Sequence, residues 1–149
     1  MASNKDLQIS TILQDLAEIK TAKAKKEYLI KNESRQLKTF LKGAFDKSLE
    51  FNLPKGSPPY EPNTTSEYGF GRVSSEFRFF AKGYAGDDLE AGVRESKFIK
   101  VLESVSPEEA KLIVMMKDKE LVGKYKGVTL KLVSDTFPTL ISKWFINQL

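Results

Sequence analysis

The chain contains neither cysteine nor histidine. Without cysteine it can form no disulfide framework, no cysteine-based zinc site and no thiolate nucleophile. Without histidine it lacks an imidazole base, and any metal site would have to be built from carboxylates alone. The acidic side chains form no obvious pair for acid–base chemistry. These absences exclude most of the common catalytic centres.

Long apolar runs are also missing, so the sequence contains neither a membrane span nor the core of a signal peptide. We therefore expect a soluble cytoplasmic protein without a membrane partner. Its 149 residues suit a single domain, residues 1–149, with a sizeable buried core.

The positive charge is concentrated in one segment. The chain as a whole carries a net charge of +4, which only weakly favours nucleic acid, an anionic membrane or an acidic protein as a partner. Residues 20–42, however, contain eight basic residues against two glutamates, a net charge of +6. If these lysines share a face, they would contact phosphates without regard to sequence. An ordinary solvated helix face is the alternative interpretation.

Apolar residues recur at helical spacing in most of the chain, and no segment alternates convincingly. Three helices are predicted by the segments "LQISTILQDLAEIK", "AKAKKEYLIKNE" and "RQLKTFLKGAFD". The third is capped by Ser34 and directs Arg35, Lys38 and Lys42 away from its apolar face. In "SPEEAKLIVMM", Ser106 and Glu109 have capping-box spacing around a proline at the first helical position. We predict an all-α fold, a compact multi-helix domain.

Residues 53–72 break this pattern, because they contain four prolines and three glycines. Such a composition opposes regular structure and predicts a long loop. It serves either as a solvated surface loop or as a binding loop.

The aromatic residues favour a core role over base stacking because most recur at helical spacing. Helical spacing of Val73, Phe77 and Phe80 predicts a further helix after the loop. Trp144 and Phe145 lie near the C-terminus, where they either close the core or dock on a partner. The phenylalanines assigned to the core are Phe40, Phe45, Phe77, Phe79, Phe80 and Phe98.

Two regions resemble the N-terminal DNA-binding domain of tailed-phage ATP-dependent DNA ligases. The first is "ILQDLAEIKTAKAKKEYLIKNESRQLKTFLKGAFD", similar to that family's short helix, Lys-rich helix and third helix. The second is "LIVMMKDKEL", the turn "GKYKG", a short helix and "TFPTLI", similar to the end of the same domain. The resemblance covers nearly the whole chain and implies a helical domain that binds duplex DNA.

The chain departs from a ligase in lacking the Lys-x-Asp-Gly motif whose lysine accepts AMP. Neither "KDKE" nor "KGYAGDD" fits that motif. We therefore expect a free-standing relative of the DNA-binding domain that is not an enzyme and uses no cofactor.

The start of the last predicted helix supplies a second basic cluster. A helix N-terminus offers unpaired N–H groups and partial positive charge, and Gly127 would permit close backbone approach to a phosphate or entry into the minor groove. A routine helix–turn–helix joint is the alternative. The resulting candidate DNA-contact residues are Lys20, Lys23, Lys25, Lys26, Lys31, Arg35, Lys124, Lys126, Gly127, Thr129 and Lys131.

Our first hypothesis is therefore a phage-encoded module that binds duplex DNA without regard to sequence in the host cytoplasm. It would be an accessory to replication, repair or packaging, with phage proteins as further partners. The alternative is a virion or interaction protein that kept the fold without DNA binding. It would use the acidic segment "GDDLEAG", or Trp144 and Phe145, to bind a protein.

Overall fold

The structure, a computed structural model, describes residues 8–141. The regular elements of this part of the chain are α-helices and short 3₁₀ helices, and it contains no strand beyond one isolated bridge between Phe51 and Ala81. The all-α prediction is confirmed. The α-helices are α1 (Ile9–Glu18), α2 (Ala22–Lys31), α3 (Arg35–Phe45), α4 (Ala91–Ser104), α5 (Pro107–Lys117) and α6 (Leu130–Thr136).

Hydroxyl side chains cap the N-termini of α2, α3 and α6, because each accepts a hydrogen bond from a backbone N–H three residues later. The cap predicted at Ser34 is confirmed. The three bonds are each 3.1 Å long and join Ala24 N to Thr21, Leu37 N to Ser34 and Leu132 N to Thr129.

The capping box predicted at the start of α5 is wrong, although α5 does begin at Pro107. The Ser106 side chain forms no cap. Glu109 instead reaches across to α1, where its carboxylate accepts hydrogen bonds from Ile9 N at 3.0 Å and Ser10 N at 2.7 Å. The physical reason is that α1 has no side-chain cap of its own, so its first N–H groups require a partner from elsewhere.

Helix α5 packs against α1, α3 and α4 and lies at the centre of the fold. Beside it, Phe77 is the hub of an aromatic cluster whose ring centroids lie 5.1 to 6.4 Å from it. Five of the six phenylalanines predicted to be in the core are buried. Phe79 is the exception, since it lies half-buried with Arg78 and Lys97 over its ring.

The helix predicted around Val73, Phe77 and Phe80 forms as two 3₁₀ helices, Phe70–Arg72 and Ser74–Phe79. A third 3₁₀ helix spans Ala85–Asp88.

The predicted long loop is confirmed as irregular chain from residue 53, and it ends three residues earlier than expected, where the first 3₁₀ helix begins. Side chains of other elements form hydrogen bonds with the loop at several points. Lys117 Nζ donates to Pro54 O at 2.7 Å, and Glu103 Oε2 accepts from Glu61 N at 2.8 Å. The loop is therefore part of the packed structure.

Lys42 does not point away from the core as the sequence predicted. It is 5% exposed, and its ammonium forms an ion pair with Asp46 Oδ2 at 2.7 Å and donates to Leu140 O and Ile141 O at 3.1 Å. A long side chain can reach a carboxylate and chain carbonyls inside the protein, which makes burial of the charge tolerable.

Lys119 follows α5 in the left-handed backbone region, with φ of 59°, and its ammonium donates to Gly43 O and, at 3.0 Å, to Asp46 O. Burial lowers the pKa of Lys119 to about 8, and repulsion from Lys42 adds to this effect, whereas attraction to Asp46 and Glu50 opposes it.

Lys119 should make the stability of the protein depend on pH. Between about pH 8 and pH 10.5 the unfolded chain holds the Lys119 proton more tightly than the folded protein, so the free energy of unfolding should rise with pH in this window. We expect the difference in unfolding free energy between the parent and Lys119→Met to grow in favour of the parent from pH 8 to pH 10. Chemical denaturation across that range checks this, and a constant difference would contradict it.

Glu109→Ala should be strongly destabilising. The Glu109 side chain is fully buried, and its removal would leave the N–H groups of Ile9, Ser10 and Phe70 unpaired. We expect a loss of about 3 kcal/mol or more in unfolding free energy, measured by urea denaturation. The control is Glu108→Ala, an exposed neighbour, which should cost about 0.5 kcal/mol or less.

Candidate functional site

A groove of about 590 Å³ opens where the start of α2 meets the start of α6. The two helices pack directly against each other, although about 100 residues separate them in the sequence. Five lysines and a single carboxylate line this groove. The lining residues are Lys20, Ala22, Lys23, Lys25, Lys26, Gly127, Thr129, Lys131, Leu132 and Asp135.

The groove unites seven of the eleven residues that the sequence analysis selected, drawn from both basic clusters. The other four are exposed and do not line it. Two of these, Lys31 and Arg35, lie at the far end of α2 and the start of α3, and two, Lys124 and Lys126, lie in the turn before Gly127. Lys126 is near enough to the groove to repel Lys25, but none of the four shapes the groove.

Lys25 differs from the other lysines of the groove because it is only 6% exposed. Its ammonium donates hydrogen bonds to Leu16 O and Ile19 O, at the C-terminus of α1. Burial lowers the pKa of Lys25, and repulsion from Lys126 lowers it further. Lys25 therefore holds α2 to the end of α1, a role that the pattern of lysines in the sequence did not indicate.

Gly127 has a conformational and a steric role. Its φ of +74° lies in the left-handed region that glycine accepts most readily. A Cβ atom at this position would lie 2.6 Å from Lys25 Cε and 3.3 Å from Lys25 Nζ. The close approach to the Gly127 backbone that we predicted for a phosphate is made in this structure by the Lys25 side chain.

Thr129 and the start of α6 contribute less than the sequence suggested. The Thr129 hydroxyl already accepts the N-terminal cap bond of α6, and α6 has only seven residues, which limits the field of its backbone dipoles. The positive potential of the groove therefore comes mainly from lysine charges.

Asp135 is the one acidic group in the groove and was not predicted. Its carboxylate pairs with the Lys131 ammonium at 2.8 Å, and this hydrogen bond lowers the pKa of Asp135 and raises that of Lys131. Both side chains are largely exposed, so the pair adds little stability. The spacing of four residues on one helix was the signal that could have revealed it.

The rest of the described chain offers weaker sites. A cavity of about 290 Å³ lies under residues 53–59, but the Lys117 ammonium that lines it already binds Pro54 O, Gly56 O and Asp118 Oδ1. Within residues 8–141 no cluster of three acidic residues could hold a metal ion, and no helix there is long and apolar enough to cross a membrane.

Part of the acidic segment proposed for a protein partner makes internal contacts, whereas its Asp88 and Glu90 are exposed. Asp87 accepts hydrogen bonds from Gly83 N at 2.6 Å and Asn52 Nδ2 at 3.3 Å, and the buried Arg94 donates to Gly86 O and Leu89 O. Trp144 and Phe145 lie outside the described residues.

Comparison with known proteins matches residues 12–123 to the model of a family of unknown function, DUF6433. The chain belongs to the DUF6433 family. No curated protein and no solved structure matches it. The matched range includes the lysines of α2 and ends before Gly127 and α6, so one wall of the groove lies inside it and the other outside. The resemblance to ligase DNA-binding domains stays a prediction.

Lys25→Ala should destabilise the fold, in contrast to changes at the exposed lysines of the groove. The change removes a buried stem and leaves carbonyls at the end of α1 without the ammonium, for which we expect a loss of about 2 kcal/mol in unfolding free energy. Lys23→Ala, on the exposed side of the same helix turn, should change it by about 0.5 kcal/mol or less. Urea denaturation of both variants measures the difference, and equal effects would contradict the assigned role.

Proposed function

We propose that this protein is a non-enzymatic, sequence-independent module for binding duplex DNA, with the phosphate backbone lying along the groove between α2 and α6. The observation that carries the proposal is the charge of this groove, where five lysines face a single carboxylate. Phosphate oxygens are the ligand that such a concentration of ammonium groups attracts most generally.

The kinds of side chain in the groove favour backbone contacts over base recognition. The planar side chains of arginine, asparagine and glutamine are well suited to bidentate base recognition, and none of them lines the groove. Lysine acts as a flexible point charge that positions a protein on a duplex without reading its sequence. The residue types present therefore support the proposal of sequence-independent binding.

Several of these lysines are available for an external anion. Lys20, Lys23 and Lys26 are exposed, and none forms a salt bridge with a described residue. Lys126 and Lys124 lie close by in the chain and could extend the contact beyond the groove. The resemblance to ligase domains adds the proposals of minor-groove contact and of a phage protein acting in the host cytoplasm or the virion.

Replacing Lys20, Lys23 and Lys26 with Ala should weaken duplex binding and flatten its salt dependence. Each lost phosphate contact should reduce the magnitude of the slope of log affinity against log salt concentration by about 0.9. We expect a reduction of up to about 2.7 for the triple variant, measured by fluorescence anisotropy with intact, nicked and single-stranded DNA over a range of salt concentrations. Lys25 is kept, because its loss would damage the fold.

The matched control removes three exposed lysines outside the groove, Lys47, Lys55 and Lys100. It changes the net charge by the same amount and should retain most of the parent slope. If both triple variants behave alike, general charge and not the groove controls binding. If the parent shows no salt-dependent affinity for DNA, the proposal is wrong and the protein-partner alternative takes its place.

A further inference from the structure

We infer that the groove contains a discrete subsite for a single phosphate group, with the Lys25 ammonium as its floor and Gly127 as the residue that allows the Lys25 side chain to take this position. This inference rests on the proposed function and deepens it, because it assigns one phosphate to a defined position. The evidence for the subsite is a difference in counter-ions between Lys25 and the other buried lysines.

Lys25 is one of three buried lysines within residues 8–141, and it differs from the other two in its partners. Lys42 pairs with Asp46 at 2.7 Å and Lys117 with Asp118 at 2.5 Å, and all four side chains are almost fully buried. Lys25 forms no salt bridge within residues 8–141 and contacts carbonyl oxygens only. A buried charge normally requires a counter-ion, and the other two lysines have one.

The groups that face Lys25 increase its need for an anion. Lys126 repels it from the turn before α6, and the exposed lysines of α2 and Lys131 line the same groove. The carboxylate of Asp135 is engaged by Lys131 at 2.8 Å. From α1 the ammonium receives only carbonyl dipoles. The described part of the chain thus leaves a positive site that an external anion would neutralise.

The ammonium also has hydrogen-bonding capacity left for a ligand. A protonated lysine has three N–H donors, and Leu16 O and Ile19 O account for two of them. A Cβ at position 127 would lie 2.6 Å from Lys25 Cε and 3.3 Å from Lys25 Nζ, so the absence of a side chain there allows Lys25 to hold its ammonium at this place in the groove. A phosphate oxygen fits the donor that remains.

The ligand class is a tetrahedral phosphate group, because several oxygens on one centre can accept from Lys25 and from the flexible lysines of the walls together. An internal phosphodiester of a duplex, a terminal phosphate and inorganic phosphate all have this chemistry. The groove exceeds the size of one phosphate, and this leaves space for the neighbouring backbone of a nucleic acid.

Gly127→Ala and Gly123→Ala form a matched pair that tests the subsite. Both glycines have positive φ, +74° and +84°, so both variants carry a similar backbone strain. Only the alanine at position 127 would collide with Lys25, since nothing lies within 4 Å of a Cβ at position 123. We expect Gly127→Ala to weaken binding of inorganic phosphate about tenfold or more and Gly123→Ala to leave it within about twofold, as measured by calorimetry.

NMR of the unaltered protein gives a readout that does not depend on a variant folding. On addition of inorganic phosphate, the Lys25 Cε and Nζ signals should shift with a saturating curve, whereas those of Lys42, whose counter-ion is internal, should stay. Equal phosphate affinity in the two glycine variants, or no saturable shift at Lys25, would overturn the subsite.

DNA binding distinguishes failure of the subsite from failure of the proposed function. If duplex DNA binds with the expected salt slope but phosphate leaves Lys25 unchanged, the subsite is wrong and the proposed function stands. If inorganic phosphate shifts the NMR signals of Lys25 but DNA does not bind, the subsite is supported as a site for free phosphate or a phosphate monoester. Duplexes with 5′-phosphate and 5′-hydroxyl ends separate the remaining sources, because only a terminal-phosphate site would prefer the former.

Discussion

The fully buried carboxylate of Glu109 holds together parts of the chain that are far apart in sequence. From the first turn of α5 it accepts hydrogen bonds from Ile9 N and Ser10 N at the start of α1, and from Phe70 N, at 2.7 to 3.0 Å. Gly69 makes this contact possible, because a Cβ there would lie 2.9 Å from Glu109 Oε1. One charged group thus fixes α1, α5 and the end of the long loop in the same place.

Both ends of α1 depend on charged side chains supplied by other helices. Its N-terminus receives the Glu109 carboxylate, and its C-terminal carbonyls receive the Lys25 ammonium. The signs are those that a helix dipole favours, negative at the N-terminus and positive at the C-terminus. Since α1 carries neither a side-chain cap nor a basic residue in its last turn, these two contacts replace the local ones and determine where α5 and α2 lie.

Local signals in the sequence predicted the helices well and the long-range contacts poorly. Ser34 marks a cap because its partner is three residues away, and Pro107 marks a helix start through its own fixed backbone. Glu109 has the same local signal as a capping-box residue, yet a distant helix with unpaired N–H groups competes for it successfully. The burial of Lys25 and Lys42 was not predictable for a similar reason, because only the folded chain brings their carbonyl and carboxylate partners within reach.

The candidate site was predictable in its composition and not in the roles of its members. The count of lysines and the resemblance to ligase domains selected two basic clusters, and the structure brings seven of the eleven selected residues together in one groove. These two signals could not distinguish Lys25 from Lys23 or Lys26, because a single turn of a helix contains both buried and exposed positions. That distinction matters physically. The exposed lysines can be exchanged without harm to the fold. The Lys25 ammonium, in contrast, contacts the end of α1 and also lines the groove. Any anion that binds it therefore also acts on the contact between α1 and α2.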